Sequence, residues 1–168
     1  GAREYVAFAN KCWPAFQTEF KFVPCYVNSR LTGMGIPVSC EVDIYGALSE
    51  YIGVCVSAAP VTLLDINNTV PQAIYDKAIK GVYPYRLRET FMGFHCGNTC
   101  SALLKNAHMG YQLIMKRDLE PELPEPDITR GTIEGNIKAG DITFFRLQSG
   151  ADTSLRAYVA QGEVLDVD

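Results

Sequence analysis

The chain has 168 residues, of which 48% are hydrophobic and 20% charged, and its formal net charge at pH 7 is −4. Such a composition is typical of a globular protein with a real core, and it excludes extended disorder. The acidic balance, without a basic run, argues against nucleic acid as a partner. No apolar run approaches the roughly 20 residues that span a bilayer, so we expect a cytoplasmic protein with no membrane partner.

Apolar spacing and turn residues predict the elements of the first 60 residues. A helix that begins at Asp43 is the best supported of them, because apolar residues recur at helical spacing after an N-cap residue type. Pro14 should kink the first helix. The predicted elements are a helix over residues 3–20, a strand over 24–28, a loop over 30–37, a very short strand over 38–41 and a helix from 43 to about 58.

The remaining chain alternates strand-like and helical patterns and then becomes purely strand-like. The predicted elements are a strand over residues 61–66, short helices over 71–80 and 99–106, a strand over 90–94 and strands over 130–137, 141–148 and 155–165.

These patterns predict an α/β fold with three parts. Residues 1–110 should form part of a parallel α/β layer that carries the site. Residues 111–127 should form an acidic, proline-rich connection, and residues 128–168 should begin an antiparallel, barrel-like β domain. Because the sequence stops within a strand-like pattern, we expect an excerpt of a longer protein.

Three of the apolar stretches finish on residues that can bind a divalent metal: Glu41, Asp65 and His95. At strand ends, such side chains reach the crevice where α/β proteins bind ligands. Each also has a structural interpretation. Glu41 would need a cation or donors around it, Asp65 could cap the following turn, and His95 could be a core histidine with satisfied hydrogen bonds.

The six cysteines, at positions 12, 25, 40, 55, 96 and 100, lie in apolar contexts. We expect most of them to be reduced, buried and structural. Cys96 and Cys100 with His95 also suggest a zinc site or a thiol nucleophile. A structural zinc site, however, needs four ligands with paired spacing, and no second pair is visible in the sequence.

Several sequence blocks together resemble the C-terminal half of the L-fucose/L-arabinose isomerase family. The blocks are CWPAF, PCYVNSRLTGMGIPVSCEVDIYGALS, LLDIN and GFHCGNTCS, which span most of residues 10–105. The resemblance implies an intracellular, homo-oligomeric aldose–ketose isomerase that uses a divalent metal, with Mn²⁺ as the first candidate. It assigns metal binding and proton transfer to Glu41 and Asp65, and metal binding to His95. Asp65 is an aspartate, as in fucose isomerases, where arabinose isomerases have glutamate.

The family also has N-terminal domains and a late metal-binding histidine that this sequence does not contain. Polar residues near the motifs, Arg30, Asn67 and Asn98, are predicted to bind sugar hydroxyls. Isomerisation through a cis-enediol requires a carboxylate that shuttles a proton between neighbouring carbons and a Lewis acid that stabilises the enediolate. The alternative is a non-enzymatic sugar-binding or regulatory module on the same fold.

Overall fold

The computed structural model describes residues 4–20, 22–95, 98–110 and 132–167, except for the side chains of Trp13, Pro14 and Asn68. The helices are a π-helical segment at Cys12–Phe20, α1 at Cys25–Gly33, α2 at Ile44–Ser57, α3 at Gln72–Ala78, and single 3-10 turns at Leu87–Glu89 and Ser101–Leu103. The strands are β1 at Phe8–Ala9, β2 at Val38–Ser39, β3 at Asp65–Thr69, β4 at Phe91–Phe94, β5 at Leu104–Gly110, β6 at Thr132–Ile137, β7 at Gly140–Ser149 and β8 at Leu155–Val164.

Within the described residues the strands form four two-stranded sheets and no barrel. Only β1 and β2 pair in parallel, through two residues each, whereas β3–β4, β5–β6 and β7–β8 are antiparallel. The mixture of helices and strands agrees with the predicted α/β class, but the extended parallel layer is not seen. The predicted connection over residues 111–127 lies outside the described residues.

The prediction of a strand over residues 24–28 is wrong, because this stretch begins helix α1. The buried residues of α1 follow helical spacing, but most of them are polar: Cys25, Asn28, Ser29 and Thr32. Apolar periodicity therefore carried no signal for this helix. The same helix replaces the first half of the loop that was predicted over residues 30–37, because α1 ends at Gly33.

Helix α2 confirms the strongest of the helix predictions. Asp43 is its N-cap, and the Asp43 side chain accepts a hydrogen bond from the Gly46 amide. The helix ends at Ser57, and Ala58 follows in the left-handed conformation that often terminates helices.

Two other helix predictions are corrected by strand pairing. Residues 8–9 pair with β2, so helical structure in the N-terminal stretch is confined to Cys12–Phe20. The predicted helix over residues 99–106 is a single 3-10 turn that runs into β5, because β5 pairs with β6. Backbone pairing with a distant strand outweighed the local helical spacing in both places.

The buried core lies between α1, β2, α2 and the segment that leads into β5. Its apolar members include Val23, Cys25, Val38, Cys40, Ala47, Cys100, Leu104 and Ile133. Strand β7 packs on α2, where the Leu147 amide donates a 2.9 Å hydrogen bond to the Ser49 hydroxyl. Among the described residues, no helix has the length and apolar character needed to cross a membrane.

Candidate functional site

Glu41 lies in a tight turn that connects β2 to α2. The Asp43 amide donates to the Cys40 carbonyl at 3.1 Å, which closes the turn over residues 40–43. Its two central residues, Glu41 and Val42, both have a φ of 59°. This left-handed region is rarely occupied by non-glycine residues and is costly for a β-branched residue such as Val42. The turn exposes the Glu41 side chain at the end of a strand, as the sequence predicted.

Contacts with Asn10 and Asn28 hold the start of this turn. The Val42 amide donates to the Asn10 carbonyl at 2.9 Å. Asn10 also donates through Nδ2 to Asn28 Oδ1 at 3.0 Å, and Asn28 in turn contacts the Cys40 sulfur at 3.6 Å. Helix α1 and the N-terminal strand therefore both support the backbone next to Glu41.

Asp65 and His95 lie near each other for a reason that differs from the predicted one. Residues 61–64 are irregular, so Asp65 begins strand β3 instead of ending a strand. Asp65 pairs with Phe94, the last residue of the antiparallel strand β4, and His95 follows immediately. Antiparallel pairing thus places the start of β3 beside the end of β4. Asp65 is exposed and His95 is half-buried.

A buried polar cluster joins the three segments that carry these candidates. Asn98 donates to the Val38 carbonyl at 3.1 Å, which links the segment after His95 to the strand before Glu41. The Thr62 hydroxyl donates to the Thr99 hydroxyl at 3.0 Å, which adds the segment before Asp65. The Ser29 hydroxyl donates to the Thr99 carbonyl at 2.6 Å and ties α1 to the same point.

The three predicted sugar-binding residues occupy different surroundings. Asn98 is only 2% exposed, and its amide group contacts the backbone of β2, which is a structural role. Asn67 is exposed on β3, next to an irregularity in the β3–β4 register. Arg30 is exposed in the last turn of α1. Their contact with a sugar stays a prediction.

Sequence patterns missed two charged residues close to the Glu41 turn. Arg146, on β7, forms an ion pair with Asp43 through two hydrogen bonds of 2.6 and 3.0 Å. Burial alone would raise the pKa of Asp43, but hydrogen bonds from Arg146 and Gly46 and the charge of Arg146 together lower it. Because the pair is separated by 103 positions, no local pattern indicates it.

Glu50 is the second missed residue. It is 5% exposed in the middle of α2, and its carboxylate accepts a 2.6 Å hydrogen bond from the Ser39 hydroxyl. Burial raises the pKa of Glu50, and the nearby Asp43 charge adds to this rise, whereas the hydrogen bonds from Ser39 and Leu63 oppose it.

The candidate metal ligands have suitable chemistry, since carboxylates and imidazole bind divalent transition metals. In the part of the chain that the structure describes, however, no three histidine, cysteine or acidic groups lie together in a way that could hold a metal ion. The described residues by themselves do not fit a complete metal site. The structure therefore does not bring Glu41, Asp65 and His95 together as a metal site, and their joint binding of a metal stays a prediction. Cys96 lies outside the described residues.

The C-terminal part of the chain matches a known protein family. Residues 93–168 match the family model described as "L-fucose isomerase, C-terminal domain". The match covers the stretch from Gly93 and His95 through the β7–β8 hairpin, and it confirms the resemblance that the sequence blocks indicated. Within this matched segment, Arg146 contacts the Glu41 turn.

Similar curated proteins extend the relationship over nearly the whole chain. A sulfoquinovose isomerase of Alkalicoccus urumqiensis is 29% identical over 98% of this chain, and one of Clostridium sp. (strain MSTE9) is 30% identical over 95%. A sulfoquinovose isomerase of Priestia aryabhattai is 25% identical over 99%. The chain spans about a third of the length of these relatives. No solved structure matches it.

Proposed function

We propose that this chain is part of an aldose–ketose isomerase that acts on an open-chain sugar. The observation that carries the proposal is the match of residues 93–168 to L-fucose isomerase C-terminal domains, since this segment includes His95 and Arg146. The sulfoquinovose isomerases that resemble the chain over 95–99% of its length support the same reaction class. Because these relatives are sulfoquinovose isomerases, sulfoquinovose is the first sugar to test. L-fucose is the second, because the family model describes L-fucose isomerase.

In the proposed reaction, a carboxylate removes the proton on carbon 2 of the aldose and returns a proton to carbon 1, while the proton of the hydroxyl on carbon 2 moves to the oxygen on carbon 1. We assign this proton transfer to Glu41 and Asp65 because both carboxylates are exposed, Glu41 in the turn after β2 and Asp65 at the start of β3. A shuttled proton passes through a carboxylic acid, which exchanges with water. The ketose that forms in D2O should therefore carry deuterium at carbon 1.

We further propose that the complete enzyme requires a divalent cation, Mn²⁺ first, with Glu41, Asp65 and His95 among its ligands. Such an ion would supply a Lewis acid for the sugar oxygens. Since the described residues do not form a closed metal site, the remaining ligands would come from elsewhere in the full-length protein or from a neighbouring subunit of a homo-oligomer.

The deciding experiment uses the full-length protein, purified with Mn²⁺ and incubated separately with sulfoquinovose, L-fucose and L-arabinose. Ketose formation with at least one aldose, deuterium at carbon 1 and loss of turnover on chelation are expected. The Glu41→Gln variant supplies the background rate. Calorimetric binding of a sugar without any ketose would instead favour the non-enzymatic sugar-binding module.

A further inference from the structure

The ion pair between Arg146 and Asp43 connects the C-terminal hairpin to the turn that carries Glu41. Its geometry is bidentate, with Nη1 donating to Oδ2 at 2.6 Å and Nη2 donating to Oδ1 at 3.0 Å. The side chains of Arg146 and Asp43 are only 33% and 26% exposed. Partial burial and the planar fork of arginine make such a pair stronger and more directional than an ordinary surface ion pair.

Strand β7 is held at this place by more than one contact. The Leu147 amide, next to Arg146, donates to the Ser49 hydroxyl, which itself donates to the Tyr45 carbonyl at 2.6 Å. Two successive residues of β7 are therefore hydrogen-bonded to the first two turns of α2 and its cap. This places the guanidinium of Arg146 in a fixed position relative to Asp43.

Asp43 passes this constraint on to the turn. Its carboxylate also accepts from the Gly46 amide at 2.7 Å, and its own amide closes the turn over residues 40–43. A Cβ atom at Gly46 would lie 2.5 Å from Asp43 Oδ2 and 3.0 Å from the Ser39 hydroxyl. Only glycine at this position leaves Asp43 room to contact both Arg146 and the helix N-terminus.

The turn itself needs such support. Glu41 and Val42 both occupy the left-handed region, which is unfavourable for non-glycine residues and persists only where surrounding contacts impose it. The two contacts that flank this strained pair are the Asn10 carbonyl on one side and the Asp43–Arg146 pair on the other. Without the ion pair, one side of the turn would be free to relax and Glu41 would change direction.

We propose that Arg146 is a positioning residue for Glu41, which it orients through Asp43 without touching the sugar. The catalytic consequence rests on the proposed function, because it requires Glu41 to work on the sugar. The mechanical part, in which Arg146 holds the strained turn, is independent of that function. A β strand of the C-terminal segment would thus complete a catalytic group that lies about a hundred positions earlier in the chain.

The test compares Arg146→Gln and Arg146→Lys with the matched control Arg156→Gln in the full-length protein. Arg156 lies on the neighbouring strand β8 and pairs only locally with Asp152, with both side chains more than half exposed. Arg146→Gln should lower kcat about 10- to 100-fold, the cost of a misdirected catalytic group, while KM changes by less than about twofold. Arg146→Lys should fall between wild type and Arg146→Gln, because lysine keeps the charge and loses the fork.

Hydrogen exchange gives the second readout. Amide exchange in peptides that cover residues 40–43 should become about tenfold faster in Arg146→Gln, while peptides of the β3–β4 ribbon stay unchanged. The control should match wild type in both measurements. If Arg146→Gln does not fold, Arg146→Lys is judged by the same two readouts.

Exchange at residues 40–43 that equals wild type, or a kcat that equals the Arg156→Gln control in an active enzyme, would overturn the proposal. If the wild-type protein isomerises no sugar, the proposed function fails, and the exchange measurement alone decides whether Arg146 holds the turn.

Discussion

The Ser39 hydroxyl donates a 2.6 Å hydrogen bond to Oε2 of Glu50, and this contact joins the end of β2 to the middle of α2 inside the core. Ser39 is fully buried and Glu50 nearly so. A buried carboxylate is tolerated only where donors surround it, and here the donors are the Ser39 hydroxyl and the Leu63 amide. The strand that leads to Glu41 is therefore fixed to α2 by a side chain that can change its charge.

Stability should depend on pH through Glu50 in a direction that its raised pKa fixes. The folded protein keeps the Glu50 proton to a higher pH than the unfolded chain does. In the unfolded chain the pKa of this carboxyl is the usual 4.5. The contribution of Glu50 to the free energy of unfolding is therefore largest below about pH 4.5, and it falls as the pH rises through the raised pKa. Glu50→Gln removes the titration, so its melting temperature should rise relative to wild type between pH 4 and pH 8.

The melting temperatures of wild type, Glu50→Gln and the exposed control Glu19→Gln, measured at several pH values, test this prediction. The control should follow wild type at every pH, because Glu19 lies at the surface. A difference between Glu50→Gln and wild type that is constant or shrinks with rising pH would contradict it.

Removal of the Ser39 hydroxyl should destabilise the protein more than removal of an exposed one. Ser39→Ala leaves the buried Glu50 carboxylate without one of its donors, which costs about 1–3 kcal/mol. The matched change Ser57→Ala removes an exposed hydroxyl at the end of α2 and should cost less. Chemical unfolding of both variants at neutral pH makes the comparison, and equal losses would show that the Ser39–Glu50 contact contributes little.

The two proposed catalytic carboxylates should be required for turnover and not for folding. Glu41→Gln and Asp65→Asn in the full-length protein each remove a proton acceptor at nearly constant volume, and kcat should fall by about 100-fold or more. Both side chains are exposed, so the circular dichroism spectrum should stay that of wild type. Asp141→Asn, a change of another exposed carboxylate, is the control, and a site variant within about threefold of wild-type activity would refute the assignment.

The cysteines should behave as reduced thiols. Of the described cysteines, positions 12, 25, 40 and 100 are buried and Cys55 is exposed, and none of these five is in a disulfide. Iodoacetamide should therefore label Cys55 well before the four buried thiols, and a reducing agent should leave the melting temperature unchanged. Mass spectrometry of the labelled peptides gives the order. A fall of several degrees on reduction would indicate a disulfide, typically worth about 2–4 kcal/mol.

The 168-residue chain alone should not be a competent isomerase. Glu41 and Asp65 are exposed in it, so water would screen the charges that develop during proton transfer. The purified chain, incubated with Mn²⁺ and each aldose, should produce no measurable ketose. Turnover of about 1 per second or faster would show that it needs no further part.

Local sequence signals determined the elements whose stability is itself local. Helix α2 was predicted from a capping aspartate and regular apolar spacing, and the structure has it from Ile44 to Ser57. The strands β7 and β8 were predicted from two strand-like runs that flank a Gly-Ala-Asp turn, and they form a continuous antiparallel hairpin. The positions of Glu41 shortly after β2 and of His95 directly after β4 were predicted for the same reason.

Only the tertiary structure decided the strand partners and the buried polar contacts. Asp65 lies beside the end of β4 because β3 and β4 pair antiparallel, and no local periodicity specifies a strand's partner. Helix α1 buries mostly polar residues, and distant segments satisfy two of them: the Ser29 hydroxyl donates to the Thr99 carbonyl, and the Asn28 amide donates to the Cys40 sulfur. The same physics explains Arg146 and Asp43, since a partly buried charge is stable only against its opposite, and the chain places that opposite 103 residues away.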